Sequence, residues 1–157
     1  LFFPKTRPAA ARISRQLMEG RVEKIYWALV PGTPEEAGWT VDAPVATFGK
    51  SRSGVAPGGR PAQTVFRVLS AGRGATLLEA RPVTGRTHQI RVHLAHGGFP
   101  VIGDVRYAGK PGPRMMLHCR RMAFRSAVGR RIEATAPLDD TFREACVRAG
   151  TEWEETA

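Results

Sequence analysis

Cysteine is scarce in this 157-residue chain: Cys119 and Cys146 are the only two. Two distant thiols build neither a disulfide framework nor a zinc pattern. Both are expected as reduced core residues of a cytoplasmic protein. Long apolar runs are missing too. The longest, IYWALV from Ile25 to Val30, falls far short of the ~20 residues a membrane span needs, and nothing resembles a signal peptide. Lysine accounts for only four of the 24 basic residues, at positions 5, 24, 50 and 110. Acids are few as well: Asp104 is the only one between Glu79 and Glu133. No internal repeat or low-complexity tract is present.

What is present is arginine. It drives the formal charge to +10 and the isoelectric point to about 10.9. A guanidinium is a planar fork of donors matched to phosphate and carboxylate oxygens, so the bias points to nucleic acid as partner. The plain alternative is a generally basic surface. Apolar residues make up 42% of the chain, enough for a core, and the length fits one domain.

Hydrophobic patterning sketches the elements. Ala9–Gly20 has Ile13, Leu17 and Met18 at helical spacing, with Gly20 as a stop. VEKIYWALV is apolar on both faces, as in a central strand, and Pro31-Gly32 ends it. GWTVDAPVA reads as a short strand limited by Pro44. Residues 49–60, GKSRSGVAPGGR, form a basic glycine-rich loop with three cations and no carboxylate. Pro61–Ser70 and Gly74–Val83 are strands joined through AGRG as a hairpin. Thr87–His96 is a helix capped by Thr84 or Thr87 and closed by Gly97-Gly98. MLHCRRMAF and RIEATAP are later strands. DDTFREACVRAG closes the chain as a helix, capped by Asp140 or Thr141, that buries Phe142, Ala145 and Cys146. The order predicts an α+β fold with a mixed, mainly antiparallel sheet and flanking helices. The domain is expected over 1–150, with a tail at 151–157.

The densest chemistry lies in RPVTGRTHQIRVHLAHGGFPVIGDVRYAG, residues 81–109, with four arginines, three histidines and one aspartate. A metal site is not expected. The helical step from His88 to His93 rotates by about 140°, and no Glu or Cys joins His93 and His96. No serine lies in the stretch for a triad, and paired carboxylates are missing. Cations, hydroxyls and a helix N-terminus remain, and the last favours an anion. A solvated basic helix face would account for Arg86. Arg91, wedged between Ile90 and Val92, needs a carboxylate partner if it is buried. Asp104 is the nearest in sequence, but the expected mate is an acid outside this chain.

The same stretch resembles the third motif of the RluA-type pseudouridine synthases. EKIYWALVPG is similar to their tyrosine-bearing second motif, and GGRPAQTVFRVL and MMLHCRRMAF to the strands flanking the third. The likeness runs from Leu1 to about Arg148. The related RsuA-type branch has arginine-asparagine-arginine-glutamine where this chain has GRTHQIR. The resemblance implies an enzyme that breaks the glycosidic bond of a uridine in ribosomal or transfer RNA, rotates the uracil and rejoins it through carbon. It implies no cofactor, no metal and no membrane, and a monomer as the usual state. The nucleophile in the family is an aspartate in an HRLD motif, which this sequence does not contain.

The chain opens LFFPKTRP without Met, which reads as the tail of a strand begun upstream. The sequence is therefore expected to be a fragment, its catalytic fold incomplete at the N-terminus and inactive by itself. By resemblance, Tyr26 packs on the target base and assists proton removal, and Arg91 pairs with the catalytic aspartate. A guanidinium keeps such a carboxylate ionised and oriented. Arg60, Arg86, Thr87, His88 and Gln89 are expected contacts to the RNA backbone or to the extruded nucleotide, and Asp104 is a structural residue. The alternative is a basic RNA-binding module of this fold without catalysis.

Overall fold

The computed structural model describes residues 3–49 and 52–153. Of the stretches singled out above, Leu1, Phe2, Lys50, Ser51 and residues 154–157 lie outside the described residues. Three helices and eight strands follow in the order α1 (Arg7–Met18), β1 (Glu23–Pro31), β2 (Gly38–Asp42), β3 (Val45–Phe48), β4 (Arg52–Val55), β5 (Gln63–Ala71), β6 (Ala75–Pro82), α2 (Gln89–His96), β7 (Leu117–Arg125), β8 (Arg131–Thr135) and α3 (Asp140–Ala149). A single 3-10 turn, Val105–Tyr107, lies between α2 and β7.

Six strands form one sheet in the order β2-β5-β6-β1-β7-β8, and every pairing is antiparallel. The two-sided apolar pattern of β1 has its predicted consequence. The strand lies inside the sheet between β6 and β7, with Trp27, Ala28, Leu29 and Val30 all buried. Its neighbour β6 is buried from Ala75 to Ala80. The β5–β6 hairpin forms as expected. β3 and β4 make a separate two-stranded ribbon, which corrects the reading of 49–60 as loop throughout. Glycine and cation content there hid a ribbon that pairs Val45 with Val55 and Ala46 with Gly54.

The helices seat against this frame for different reasons. α3 inserts Phe142, Ala145 and Cys146 into the core, as its apolar stripe requires. Its cap is Asp139, whose carboxylate accepts from Phe142 N at 3.1 Å, rather than Asp140 or Thr141. Beyond it, Thr151 is buried and Trp153 packs on the core, so residues 151–153 are not a free tail. α1 is capped by Thr6 and starts at Arg7. Its expected apolar stripe is not its buried side: Met18 and Leu17 are exposed, while Gln16 is buried. The Gln16 amide donates to Arg125 O at 2.8 Å and accepts from Arg125 N at 2.9 Å, acting as one more strand residue beside the end of β7. Cys146 is fully buried, whereas Cys119 is only half-buried.

Candidate functional site

The segment 84–93 is built around one buried amide. Gln89 is 3% exposed, and all its hydrogen-bonding positions are used. Its Oε1 accepts from Thr84 Oγ1 at 2.6 Å and from Arg86 N at 3.0 Å. Its Nε2 donates to Gln63 O at 2.9 Å and to Thr64 Oγ1 at 3.0 Å. Thr84 Oγ1 in turn accepts from Gln63 N at 3.1 Å. Thr84 therefore ties the loop to β5 instead of capping α2. His93, fully buried, completes the set through Nε2 to Ala43 O at 3.0 Å and Nδ1 to Thr64 Oγ1 at 2.9 Å. The carbonyl can only accept, so Nε2 carries the hydrogen and Nδ1 accepts from the threonine hydroxyl. Burial, chiefly, holds the His93 pKa below the ordinary value. Gln89 thus leaves no polar atom for RNA; its expected RNA contact is replaced by a clamp on the loop.

The residue before α2 is His88, in the left-handed region at φ 57° with no side-chain cap bond. Such a conformation is uncommon for a residue with a Cβ and clusters at functional positions. His88 Nδ1 lies 2.9 Å from the Tyr107 hydroxyl, which also accepts from Ser53 N at 3.2 Å. Burial and then the charge of Arg91 lower the His88 pKa, favouring a neutral ring whose Nδ1 accepts from the phenol. Thr87 beside it is exposed.

Arg91 has a partner within the chain. Its Nε and Nη2 donate to Asp104 Oδ2 and Oδ1 at 2.6 and 2.7 Å, with side-chain exposures of 15% and 1%. The chain turns back after α2 and supplies this acid itself, along one edge of the guanidinium. Burial raises the Asp104 pKa, but the hydrogen bonds and charge of Arg91 with the N–H groups of Arg106 and Tyr107 outweigh it, and the carboxyl stays below its ordinary value. Hydrogen bonding to Asp104, ahead of the opposing effect of burial, raises the Arg91 pKa. The turn is pinched by Gly103, at φ +79°, where a Cβ would strike the Arg114 carbonyl. The Tyr107 ring covers the guanidinium at 4.8 Å from its centroid, a cation–π contact. Nη1 of Arg91 has no partner among the described residues.

These pieces line one cleft of about 290 Å³, walled by Tyr26, Arg86, His88, Gln89 and Arg91 together with Lys24, Ile90 and Leu117. Tyr26 comes from β1, at a bulge in its pairing with β7. Burial first, then Cys119, pushes its phenol up to about 12, so at neutral pH the ring is uncharged. A second, larger cavity of about 710 Å³ shares Lys24, Thr84, Gly85 and Arg86 with the first and adds Arg60 and the end of α1. Arg86 Nε donates to Pro61 O at 2.9 Å. The structure therefore brings Tyr26, Arg86, His88, Gln89 and Arg91 to one cleft, with Arg60 in the adjoining cavity; Thr87 lines neither.

Sequence reasoning passed over Lys24, Thr84 and Tyr107. Lys24 stands two residues from Tyr26, the spacing that shares a strand face, so a signal was available. Tyr107 had none, since its role depends on a ribbon read as loop. Among the described residues no group of three His, Cys, Asp or Glu side chains is placed to hold a metal ion, and no helix is long and apolar enough to cross a membrane.

A family model described as RNA pseudouridylate synthase matches residues 1–96. An RNA pseudouridine synthase of Chloroflexus aurantiacus is 46% identical over 129 residues, 75% of this chain and 39% of that protein. Ribosomal large subunit pseudouridine synthase D of Haemophilus influenzae is 36% identical over 159 residues, 89% of this chain and 49% of the relative. The chain thus spans less than two thirds of the length of these curated relatives. Among solved structures, human RNA pseudouridylate synthase domain containing 1 matches with a TM-score of 0.76 at 28% identity, covering 85% of this chain and 61% of that one. The human domain containing 4 shares the fold, with a TM-score of 0.79 at 21% identity over 94% and 70%. With its tyrosine strand and its TGRTHQIR segment meeting in one cleft, the chain belongs to the RluA-type pseudouridine synthase family.

Proposed function

We propose that the protein to which this chain belongs converts a uridine of ribosomal RNA to pseudouridine, working in the cytoplasm as a monomer and without a cofactor. The observation that carries the reading is the convergence of Tyr26, His88, Arg86 and Arg91 on a single cleft, whose volume is near the lower end for a small-ligand site, ~300 Å³. A uridine extruded from its stack would lay its base on the Tyr26 ring. Arg86 and, across the neighbouring cavity, Arg60 would take backbone phosphates, with Thr87 at the exposed rim. The names of the relatives that act on the large ribosomal subunit favour ribosomal over transfer RNA.

Arg91 is the proposed partner of the nucleophilic aspartate. Asp104 holds one edge of its guanidinium and leaves Nη1 free. The fork is thereby oriented in advance, and a second carboxylate arriving at Nη1 would be kept ionised. Asp104 is a positioning residue in this scheme, already paired and hence a poor nucleophile. The acid that attacks would come from a segment carrying the HRLD motif, absent from these 157 residues. The Tyr26 phenol, held to its proton near neutral pH, offers the base a stacking face.

The test compares uridine conversion in unmodified ribosomal RNA by this chain and by the full-length protein. Conversion by the full-length protein alone is expected. Arg91→Lys in that protein should lower turnover roughly a hundredfold, with RNA affinity changed only a few fold, because an ammonium cannot serve two carboxylates as a planar fork does. Salt-sensitive RNA binding by the full-length protein without conversion of any ribosomal uridine would instead favour a binding module of this fold.

A further inference from the structure

We propose that Lys24 is a phosphate-binding residue whose ammonium, set at the neck between the two cavities, holds the RNA backbone phosphate beside the uridine seated on Tyr26. The proposal rests on the uridine reading of the cleft and adds to it a residue and the ligand group that the residue takes.

Lys24 is only 9% exposed, yet it is poorly served. Among the described residues its sole hydrogen bond is to Thr84 O at a long 3.4 Å, and no carboxylate forms an ion pair with it. An ammonium has three donors, and a buried cation without a counter-charge is costly. Burial accordingly lowers its pKa from the ordinary value. Apolar residues of similar length would fill the position without that cost, so the charge calls for an anion in the cleft.

The surroundings say what kind of anion. Lys24 and Arg86 line both cavities, and Arg60 joins them in the larger one. The single acid on that wall, Glu19, is engaged by Arg21. The larger cavity, about 710 Å³, shares four residues with the base cleft and holds far more than one small anion. Leu17, Met18 and Val83 stand exposed along it, offering an apolar surface to a neighbouring base. Cations and apolar groups along one cavity suit a nucleotide chain. Gly85 keeps the approach open: a Cβ there would meet only the Lys24 ammonium, at 3.6 Å.

The experiment uses the full-length protein and a fluorescein-labelled oligouridine, titrated across a salt series. Lys24→Met is expected to weaken binding about tenfold, as loss of a charge-assisted contact does. It should also flatten the logarithmic salt slope by ~0.7, the value for one phosphate on a single strand. Lys24→Arg should restore most of the affinity. Gly85→Ala fits without a clash, so it should fold normally and weaken binding by obstructing the neck. In thermal denaturation Lys24→Met should be at least as stable as the parent. Unchanged affinity and slope for Lys24→Met overturn the proposal. With turnover lost, that result would assign the ammonium to a carboxylate; with stability lost, to the fold. Failure of the uridine reading shows separately, as a parent protein that neither binds the oligouridine nor forms pseudouridine.

Discussion

Gln89 and Arg91 stand two residues apart on the same helix, yet their polar atoms meet opposite fates. The amide of Gln89 is matched at every position by β5 and the preceding loop. The guanidinium of Arg91 is held by Asp104 along one edge and open along another. In the same cleft, Lys24 has a single long bond among the described residues. Such contrast within one small region is informative. Groups that hold α2 in place are saturated, and groups facing the cleft keep donors in reserve, which is how a preorganised site differs from a folded core.

The largest expected break in this contrast is Asp104→Asn. It strands a mostly buried guanidinium, and urea unfolding should show a loss of about 3–5 kcal/mol. The same carboxyl titrates below its ordinary value in the folded state. Its contribution is therefore complete above ~3.9, the unfolded value, and vanishes as pH falls through the folded one. An acid titration of stability should be shallower in the variant; equal slopes would mean that Asp104 does not carry the acid limb.

Next in size is Tyr26→Ala in the full-length protein, expected to lower turnover roughly a hundredfold by removing the stacking face. Tyr26→Phe should retain most of the activity, and equal losses from the two would return the hydroxyl to the chemistry. Gln89→Leu, of similar volume, should cost about 2 kcal/mol by orphaning its buried partners, seen as a lower urea midpoint at unchanged slope. The smallest effect concerns the imidazoles. Both His88 and His93 have lowered pKa values, so the unfolded chain binds their protons more readily. Stability should be full above ~6.5 and decline as pH drops through the folded values. A melting temperature flat from neutral to mildly acid pH would contradict this.

Much of the frame was legible in the sequence. An apolar run on both faces marked β1, the AGRG junction marked the β5–β6 hairpin, and the Phe142 stripe marked α3. Where the reading went astray, local signals competed with long-range pairing. The glycines of 49–60 look like a loop until Val45 pairs with Val55. Ile13, Leu17 and Met18 have helical spacing, but a glutamine amide docks α1 on β7. At the cleft, residue types pointed to the segment that lines it, while individual hydrogen-bond partners did not follow. Gln89 looks like a surface reader among cations, and only the position of Thr64 and Gln63 on β5 turns it inward. Arg91 was rightly read as needing an acid, but a turn pinched by Gly103 delivers Asp104, which sequence distance alone does not reveal.

One phenol ties the β3–β4 ribbon to the rim of the cleft. Because the Tyr107 oxygen accepts from Ser53 in the ribbon and contacts His88 at the cleft rim, while its ring covers Arg91, a displacement of the ribbon reaches the cleft through a single side chain. Strand Arg52–Val55 is thereby joined to the Arg91 guanidinium through one side chain.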